Sequence, residues 1–474
     1  MAYRYGEREQ IAFLPRSIEE YVAPAAPVRA YDAMVEAMDF DELGIEGDEH
    51  QAGNPQYEPK AMLKLLVYGY SYGVRSSRKL ERETYNNLSF IWLMGGLTPD
   101  HKTIAEFRRR NKGALKKVLK ECARICIKLN LIAGNSLFVD GSKIRANASI
   151  KGFWDKDRCE EKIKEIDRRI EEILKECDRV DEEEKEEDSY VRMEKELEDK
   201  KALRAKVEEI MEELKEGSKR ELNRTDGDCI KANSIHGTHA GYNSQVVVDG
   251  KEGLIVQSDV VAKNNDNEQF AGQILSANEV VDGKCETACA DSGYFKPEGL
   301  KEVEEKGVKV VVPSYAQAEG KKPGPFDHDS FEYDEKDNCY RCPEGQILTH
   351  RGTNKDGDRA YRISNPNICR KCRHYGKCTE DKNGRKVLRM HNYELRKEFE
   401  AKFEQSDSQE IYKLRKCKVE LPFGHIKRNL KMDAFLLRGL DGVKAEMSIL
   451  GTCFNIVRMI TIFGVGGLMT KLAS

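Results

Sequence analysis

The stretch Leu137-Phe-Val-Asp-Gly-Ser-Lys-Ile-Arg-Ala-Asn-Ala148 joins a short apolar run to a carboxylate and then to a basic segment. Its first three residues predict the end of a buried strand. Asp140 follows directly, and a carboxylate at the tip of a buried strand is unfavourable unless a positive group compensates it, for which a divalent metal ion is the usual solution. A turn at Asp140-Gly141 that merely ends the strand explains the same residues. The choice depends on whether other carboxylates occupy similar settings.

A second carboxylate, Asp291, occupies such a setting. It follows Thr287-Ala-Cys-Ala290, a run of small residues that predicts a strand, and a glycine comes two residues later. Between the two acids, β-branched runs at 241–249 and 253–261 predict a β-hairpin. The other predicted elements are a helix at 266–277, a helix at 297–306 and a strand at 308–312. This order resembles an RNase H-like core, in which strand ends bring acids from distant positions together.

A third carboxylate, Glu420, is the single acid in the basic stretch 411–427. If that stretch is helical, Lys416, Glu420 and Lys427 share one face. Pro422 should bend the helix or mark its start. A salt-bridge pattern explains Glu420 alone, but it does not explain three acids in settings that a metal site needs.

Composition predicts a soluble, charge-rich globular protein. Of its residues, 39% are hydrophobic and 34% are charged. Its length of 474 residues is enough for two to four domains. The most apolar segment, 447–468, is interrupted by Asn455, Arg458 and glycines, so no membrane span is expected. The N-terminal residues lack the apolar core of a signal peptide. We therefore expect a cytoplasmic protein without a membrane partner.

The first 130 residues show helical spacing of apolar residues and two basic helix starts. One lies in 73–82, and the other follows Thr103 and carries three consecutive arginines, 108–110. Such short basic helices suit a DNA-binding domain that contacts phosphates and lays one helix in a groove. An ordinary helical bundle with a solvated basic face fits the composition equally well.

Residues 157–220 carry 17 basic and 25 acidic side chains, so the rest of the chain has a net charge of +5 although the whole chain has −3. Apolar residues recur at coiled-coil spacing in 163–177 and again in 203–214. Between them lies the mostly acidic segment 178–188, which must stay solvated. We predict an antiparallel helical hairpin, whose role could be partner binding, dimerisation or that of a solvated arm.

Two Cys-x2-Cys pairs lie within 321–395, and each can offer two thiolates from one tight turn to a tetrahedral zinc ion. The chain has 14 cysteines and no secretion signal, which favours metal binding over disulfides. We predict a structural zinc ribbon; a site whose metal has been lost is the alternative. The predicted ligands are Cys339, Cys342, Cys369 and Cys372, with Cys378 as a spare.

Over nearly its whole length the chain resembles the DDE transposases of bacterial insertion sequences, in the group with a Tyr-Arg-Glu-Lys signature, and within it the IS eleven-eighty-two group. Tyr412 and Arg415 are spaced from each other as in the signature. Arg415, however, is one residue too far from Glu420, and Lys416 stands at the position that the signature gives to the arginine. The other matching motifs are Tyr68-Gly-Tyr70, Ser76-Ser-Arg-Lys-Leu80, Pro99-Asp-His-Lys-Thr-Ile104, Val139-Asp-Gly-Ser-Lys-Ile144, Ala290-Asp-Ser-Gly-Tyr294 and Glu420 with Lys427.

The resemblance implies that Asp140, Asp291 and Glu420 are catalytic and hold two Mg²⁺ or Mn²⁺ ions roughly 3.5–4 Å apart. Attack by water would nick the end of the element, and attack by a 3′-hydroxyl would join that end to target DNA. The expected DNA or phosphate contacts are Lys427, Arg415, Lys416, Tyr412, Lys143, Arg108, Arg109 and Arg110.

The expected architecture is α/β, with an RNase H-like mixed-sheet core interrupted by two insertions. The predicted segments are a helical N-terminal DNA-binding domain (1–130), the first core strand (131–156), a coiled-coil insertion (157–227), the core from the hairpin to a later strand (228–320), a Cys-rich zinc-binding insertion (321–395) and the C-terminal core helices with Glu420 (396–474).

The resemblance implies double-stranded DNA as the partner, both transposon ends and target, with the protein associated with the nucleoid. A homodimer is expected in the synaptic complex, since two ends must be cut together. A domesticated DNA-binding protein, or a nuclease of the same fold that cuts without joining, are the alternatives. A purely structural coiled-coil protein would explain only 157–220.

Overall fold

The computed structural model describes residues 17–45, 56–183, 187–217, 219–234, 237–321 and 324–473. Within 177–194 only the backbone of 177–183 and 187–194 is described. The helices, in chain order, are α1 Ile18–Tyr21, α2 Pro27–Glu36, α3 Phe40–Leu43, α4 Pro59–Ser71, α5 Ser77–Asn86, α6 Leu88–Leu93, α7 His101–Arg110, α8 Lys112–Leu115, α9 Val118–Lys128, α10 Lys156–Glu183, α11 Glu187–Glu216, α12 Phe270–Val280, α13 Pro297–Glu304, α14 Tyr315–Ala318, α15 Pro366–Arg370, α16 Tyr393–Phe403, α17 Ser406–Arg428 and α18 Leu440–Ala473.

The strands fall into three sheets. In chain order they are β1 Ser136–Arg145, β2 Phe153–Trp154, β3 Leu222–Asn223, β4 Ile230–Ser234, β5 Gly237–Asp249, β6 Ile255–Val261, β7 Thr287–Cys289, β8 Lys309–Val311, β9 Glu332–Asp334, β10 Cys339–Arg341, β11 Ile347–Thr353, β12 Arg359–Ile363 and β13 Lys386–Arg389.

The largest sheet is mixed, with the strand order β4-β5-β1-β7-β8 and with β6 beside β5. β5 pairs antiparallel with β1, β4 and β6, and it forms the predicted hairpin with β6. β1, β7 and β8 run parallel. The helix α12 connects β6 to β7, and α13 connects β7 to β8. The mixed α/β class expected from the order of elements is therefore observed.

Asp140 lies in the middle of β1 and not at its end, which corrects the prediction from the sequence. Beyond Asp140 the strand continues to Arg145, because these residues pair with β5, where Arg145 faces Gly241. On the other edge of β1, pairing with β7 ends where Phe138 faces Cys289. The carboxylate therefore marks the point at which β1 loses its parallel neighbour.

The N-terminal helices share one hydrophobic core with the large sheet. Buried residues of α2, α4 and α9 join buried residues of β1, β5 and β6 in a single cluster. The helix α18 links the two parts, because it packs against α2, α4 and α9 and also against β6. The core is therefore continuous across residue 130, where a domain boundary was expected.

The helix α18 is long and apolar enough, by length and composition, to cross a membrane, although half of its most apolar window is buried inside the protein. Its Asn455 is fully buried and bonds both backbone groups of Ile255 in β6, at 2.8 Å each. The helix is broken at Gly464, whose φ of 68° is left-handed. The N-terminal half of α18 is thus a core helix of the fold.

A buried ion pair fastens α18 to the segment before α5. The Arg75 guanidinium donates to the Glu446 carboxylate at 2.8 Å and to the carbonyl of Ala434 at 3.0 Å. The other Glu446 oxygen accepts the backbone N–H groups of Leu436 and Leu437, at 2.9 and 3.0 Å. Glu446 has no exposed surface, and its burial raises the pKa of its carboxyl, an effect that Arg75 opposes.

The acidic insert is a hairpin of α10 and α11, as predicted. The helices run antiparallel, since Arg204 bonds Asp167 and Arg169 bonds Glu196. Residues of both predicted apolar seams pack together between the helices, and a two-stranded sheet of β2 and β3 closes the base. The side chain of Cys177 and residues 184–186 of the acidic link lie outside the described residues.

The Cys-rich segment contains its own five-stranded antiparallel sheet, with the order β13-β12-β11-β10-β9. Its small core is aromatic and includes the buried rings of Phe331, Tyr340 and Tyr361. The segment therefore folds around a separate cluster, beside the mixed sheet, as expected of an insertion.

We expect Glu446→Ala to destabilise the protein by about 3–5 kcal/mol, because it leaves the Arg75 guanidinium buried without its counter-charge. The free energy of unfolding from urea titration measures the effect. The control Asp441→Ala removes an exposed acid that pairs with Lys116 and should leave the unfolding midpoint close to that of the wild type. Equal midpoints for Glu446→Ala and the wild type would contradict this account of the α18 junction.

Candidate active site

The strand register holds Asp140 and Asp291 at the same level of two parallel strands. Phe138 of β1 faces Cys289 of β7, and the two acids follow two residues later on each chain. Neighbouring strands lie about 4.8 Å apart, and residues two positions on face the same side. The fold thus brings together two of the three predicted acids.

The helix α17 crosses these two acids and supplies a cation to one of them. The Arg415 guanidinium donates to the Asp291 carboxylate at 3.0 Å, and only 15% of its side chain is exposed. The other Asp291 oxygen accepts the backbone N–H of Gly293 at 2.8 Å. Lys416, the alternative candidate for this position, is exposed. The helix runs through Pro422, which therefore neither starts nor ends it.

Asp140 is the most strongly perturbed acid of the site. The pKa of its carboxyl is raised to about 6; burial is the largest cause, Arg415 opposes it, and the negative charges of Asp291 and Asp266 add to it. A buried carboxylate that has two further acids close by is stabilised by a nearby positive charge. The arrangement therefore favours a cation among these carboxylates.

Lys427 and Glu420 lie further along α17. The Lys427 ammonium donates to the hydroxyl of Ser142, which lies two residues after Asp140 in β1. Burial lowers the pKa of Lys427, and Asp140 opposes that shift. Glu420 lies two helical turns before Lys427 on the same face; it is exposed. The third predicted acid is thus at the rim of the site, without a hydrogen bond or ion pair to any residue that the structure describes.

No three His, Cys, Asp or Glu side chains within the described ranges converge closely enough to hold a metal ion. At the site, Asp291 is ion-paired with Arg415, and the exposed Glu420 bonds neither aspartate. The donor set of carboxylate oxygens nevertheless matches what Mg²⁺ prefers.

Asp266, which the sequence reasoning missed, also belongs to the site. Its carboxylate accepts the side-chain amides of Asn243 and Gln245, at 2.6 and 2.8 Å, and lies 3.7 Å from the Lys143 ammonium. A signal was present in the sequence, because three consecutive polar residues, 243–245, directly precede the run of valines 246–248 in β5 and become fully buried. The predicted DNA contact Lys143 therefore faces an acid of the site itself.

The remaining predicted DNA contacts divide into exposed and buried residues. Arg108 is only 6% exposed, and its guanidinium donates to Tyr70 at 3.0 Å and to the carbonyl of Arg75 at 2.8 Å. It is a packing residue, and its prediction as a DNA contact is corrected. Arg109 and Arg110 are exposed and both pair with Glu106. Tyr412 is half-buried and packs edge-on against Phe403.

The Cys-rich segment brings together a different set of thiols from the one predicted. A small cavity is lined by Cys342, Cys369, Cys372 and Cys378. Three of the sulfurs accept backbone N–H groups, at 3.4 Å for Cys342 and 3.5 Å for Cys369 and Cys372. Burial raises the pKa of the Cys378 thiol, and the three other thiols raise it further. Cys339 is buried on β10 opposite Thr349 and does not line the cavity.

Two stretches of the chain match known protein families. Residues 16–110 match the family described as "Transposase domain (DUF772)", and residues 341–460 match the family described as "Transposase DDE domain". The second match contains Arg415, Glu420 and Lys427, whereas Asp140 and Asp291 lie outside both. No curated protein and no solved structure matches the chain. The two matches support a DDE transposase of an insertion sequence.

We expect Asp140→Asn to stabilise the metal-free protein at pH 8. Because the pKa of Asp140, about 6 when folded, lies above that of an unfolded aspartate, its ionisation opposes folding above pH 6 and not below pH 4. The variant should gain on the order of 2 kcal/mol at pH 8, and the gain should shrink to zero between pH 6 and pH 4.

Thermal unfolding in EDTA over this pH range measures the difference. The control Asp433→Asn changes an exposed acid and should follow the wild type at every pH. A wild type that is more stable than Asp140→Asn at pH 8 would show that Asp140 is not held among repelling charges.

Proposed function

We propose that this protein is a DDE transposase that binds the terminal inverted repeats of an insertion sequence and catalyses metal-dependent strand cleavage and strand transfer. The observation that carries the proposal is the pair of Asp140, on β1, and Asp291, just after the end of the adjacent parallel strand β7. The helix that holds Arg415, Glu420 and Lys427 crosses this pair. The strand order, with an antiparallel hairpin joined to parallel strands, supports an RNase H-like core.

Asp140, Asp291 and Glu420 would hold two Mg²⁺ ions. When bound, these ions supply activation of the attacking water or 3′-hydroxyl and charge stabilisation at the leaving oxygen. Glu420 suits this role because its carboxylate is free and lies on α17 between Arg415 and Lys427, both of which contact the strands of the two aspartates. Its side chain would turn toward Asp140 on metal binding.

The basic residues would bind the DNA backbone. Arg415 bonds Asp291 in the free protein, and its remaining N–H groups are suited to a phosphate oxygen beside the scissile bond. Lys427, close to Asp140, would place a second positive charge there. The exposed Arg109 and Arg110 at the end of α7 would contact phosphates further along the transposon end. A homodimer would hold two ends together for concerted cutting.

Two rival functions share the fold and the matched families. A domesticated DNA-binding protein would not need the acid pair, and Asp140 and Asp291 are both present and adjacent. A nuclease that cuts without joining would use the same residues. An assay of strand transfer with a pre-cut transposon end separates that nuclease from a transposase.

We also propose that the Cys-rich segment binds a structural zinc ion through Cys342, Cys369, Cys372 and Cys378. These four thiols line one cavity without converging on a common point, so they would draw closer around the ion. Backbone N–H groups directed at three of the sulfurs support this ligand set, because zinc-bound thiolates accept such hydrogen bonds. Cys378 takes the place that the sequence prediction gave to Cys339. Four thiolates leave no open position, so this ion would stabilise the segment and not take part in catalysis.

We expect Asp140→Asn and Glu420→Gln each to reduce Mg²⁺-dependent cleavage of a labelled transposon end by about a thousandfold, since each removes several kcal/mol of charge stabilisation. Binding to the inverted repeat, measured by gel shift, should be retained. Glu410→Gln is the matched control, an exposed acid near the start of the same helix. Cleavage by Asp140→Asn at the wild-type rate would refute the assignment.

We expect Cys378→Ser to lose bound zinc and Cys339→Ser to keep it. Elemental analysis of protein purified without chelators gives the zinc content per chain, expected to be one in the wild type and in Cys339→Ser. Thermal unfolding should show a lower midpoint for Cys378→Ser only, because structural zinc contributes directly to folding. Absence of zinc from the wild type would contradict the proposal, and retention by Cys378→Ser would contradict this ligand set.

A further inference from the structure

Asp266 lies between β6 and α12, where an aspartate ordinarily caps the helix that follows. The helix begins at Phe270, and its N-cap residue is Gln269. The Asp266 side chain does not cap α12; its Oδ1 instead accepts the amides of Asn243 and Gln245 in β5. Its carboxylate is therefore directed at the sheet, for a reason other than helix stability.

A buried polar network fixes the orientation of this carboxylate. Asn243 and Gln245 have no exposed surface, and Tyr294 is 1% exposed. The Tyr294 hydroxyl donates to the Gln245 side-chain oxygen, which turns the Gln245 amide nitrogen toward Asp266. Buried polar groups of this kind are unfavourable unless fully paired, so they are a costly way to hold an acid that has only a structural role. Both of these amide hydrogen bonds end on the Oδ1 of Asp266.

Two buried polar atoms beside Asp266 have no hydrogen-bond partner among the residues that the structure describes. One is the Oδ1 of Asn243, whose Nδ2 donates to Asp266 at 2.6 Å, and the other is the Nζ of Lys143, 3.7 Å from the carboxylate. The Asn243 amide that binds Asp266 therefore also carries an unpaired, buried oxygen, so this position offers oxygen atoms of both a carboxylate and an amide. Mg²⁺ and Mn²⁺ take such ligands.

Asp266 lies close to the two predicted aspartates because the nearby residues Gly141 and Gly293 have no side chains. Gly141 shares a face of the sheet with its partner Gln245, and a Cβ on Gly141 would lie 2.9 Å from the Asp266 carboxylate. A Cβ on Gly293, in the turn after Asp291, would lie 4.0 Å from the Asp266 Cβ. The Gly141 side of β1 is opposite to the side that α17 covers. Asp266 therefore approaches the free edge of β1 from the other face of the sheet.

We propose that Asp266 is a fourth carboxylate of the metal centre, a catalytic residue that binds a divalent cation together with Asp140 and Asp291. This inference rests on the proposed function, because it adds a ligand to the same site. Glu420 approaches from α17 on one face of the sheet, and Asp266 approaches from the segment before α12 on the other. The cation would be held at the edge of β1 between them, where β7 ends.

The test is Mn²⁺ binding to the full-length protein without DNA, measured by the electron paramagnetic resonance of free Mn²⁺. Asp266→Asn keeps the shape and the acceptor for Asn243 and Gln245 and removes the charge. It should weaken Mn²⁺ binding by about tenfold or more, since the loss of a group that merely hydrogen-bonds to a metal ligand already costs about 10–100-fold in affinity. End cleavage should fall with it, while end binding stays unchanged.

The matched control is Asp259→Asn, on the preceding strand β6. Its side chain is 24% exposed against 27% for Asp266, and it bonds Lys444 outside the site. This variant should bind Mn²⁺ like the wild type. If Asp266→Asn does not fold, Asp266→Ser, which is smaller and also accepts the amides, should show the same loss.

Mn²⁺ affinity of Asp266→Asn within twofold of the wild type would overturn the inference, because a purely structural acceptor is preserved in that variant. Equal Mn²⁺ affinity of the wild type and Asp140→Asn would also overturn the inference, because Asp140 is proposed to bind the same cation. A wild type that binds Mn²⁺, loses it in Asp266→Asn and cleaves no transposon end would contradict the proposed function while supporting Asp266 as a metal ligand.

Discussion

The structure depends on one electrostatic constraint, the packing of several carboxylates around the point where β7 ends and β1 continues. Burial and the neighbouring Asp291 and Asp266 make the charge of Asp140 unfavourable there, and Arg415 pairs directly with Asp291. Lys143 and Lys427 lie close by, and burial lowers the pKa of both ammonium groups. A site that holds acids and cations together in partial burial is unfavourable for stability, and such sites are typical of function.

The rest of the fold positions this point. The hairpin of β5 and β6 supplies the buried amides that orient Asp266, and α17 supplies Arg415, Glu420 and Lys427 from the far end of the chain. The helix α18 then connects the sheet to the N-terminal helices through the buried Glu446. The two insertions branch off between core elements and build their own small cores, so they change the length of the chain without altering the sheet.

Sequence patterns predicted much of this arrangement. The β-branched runs gave the hairpin, and the apolar periodicity gave the paired helices α10 and α11, because both signals depend on local burial. The position of Asp140 along its strand was predicted wrongly, because it lies in the middle of β1 and not at its end. The apolar run stops at Val139, but the strand continues because β5 provides partners for five further residues. Strand length there is set by a neighbour distant in sequence, which local patterns do not contain.

Side-chain partners were the least predictable part of the site. Arg108 belongs to a basic run, yet the helix α7 turns it inward onto Tyr70 while its neighbours stay exposed. Cys378 stands outside both Cys-x2-Cys pairs, and tertiary folding brings it to the cavity that Cys339 does not reach. Asp266 lies in a polar segment typical of a loop. In each case the role depends on which face of an element meets another, and spacing alone does not determine that contact.

The most direct measurement is anomalous diffraction from crystals of the protein bound to Mn²⁺ and a transposon-end DNA. The account predicts Mn²⁺ peaks between the carboxylates of Asp140 and Asp291, with Glu420 turned inward to the same ions and the scissile phosphate beside them. Mn²⁺ peaks elsewhere, or DNA whose cleavage site lies far from Asp140, would contradict the assignment of this edge of the sheet as the active site.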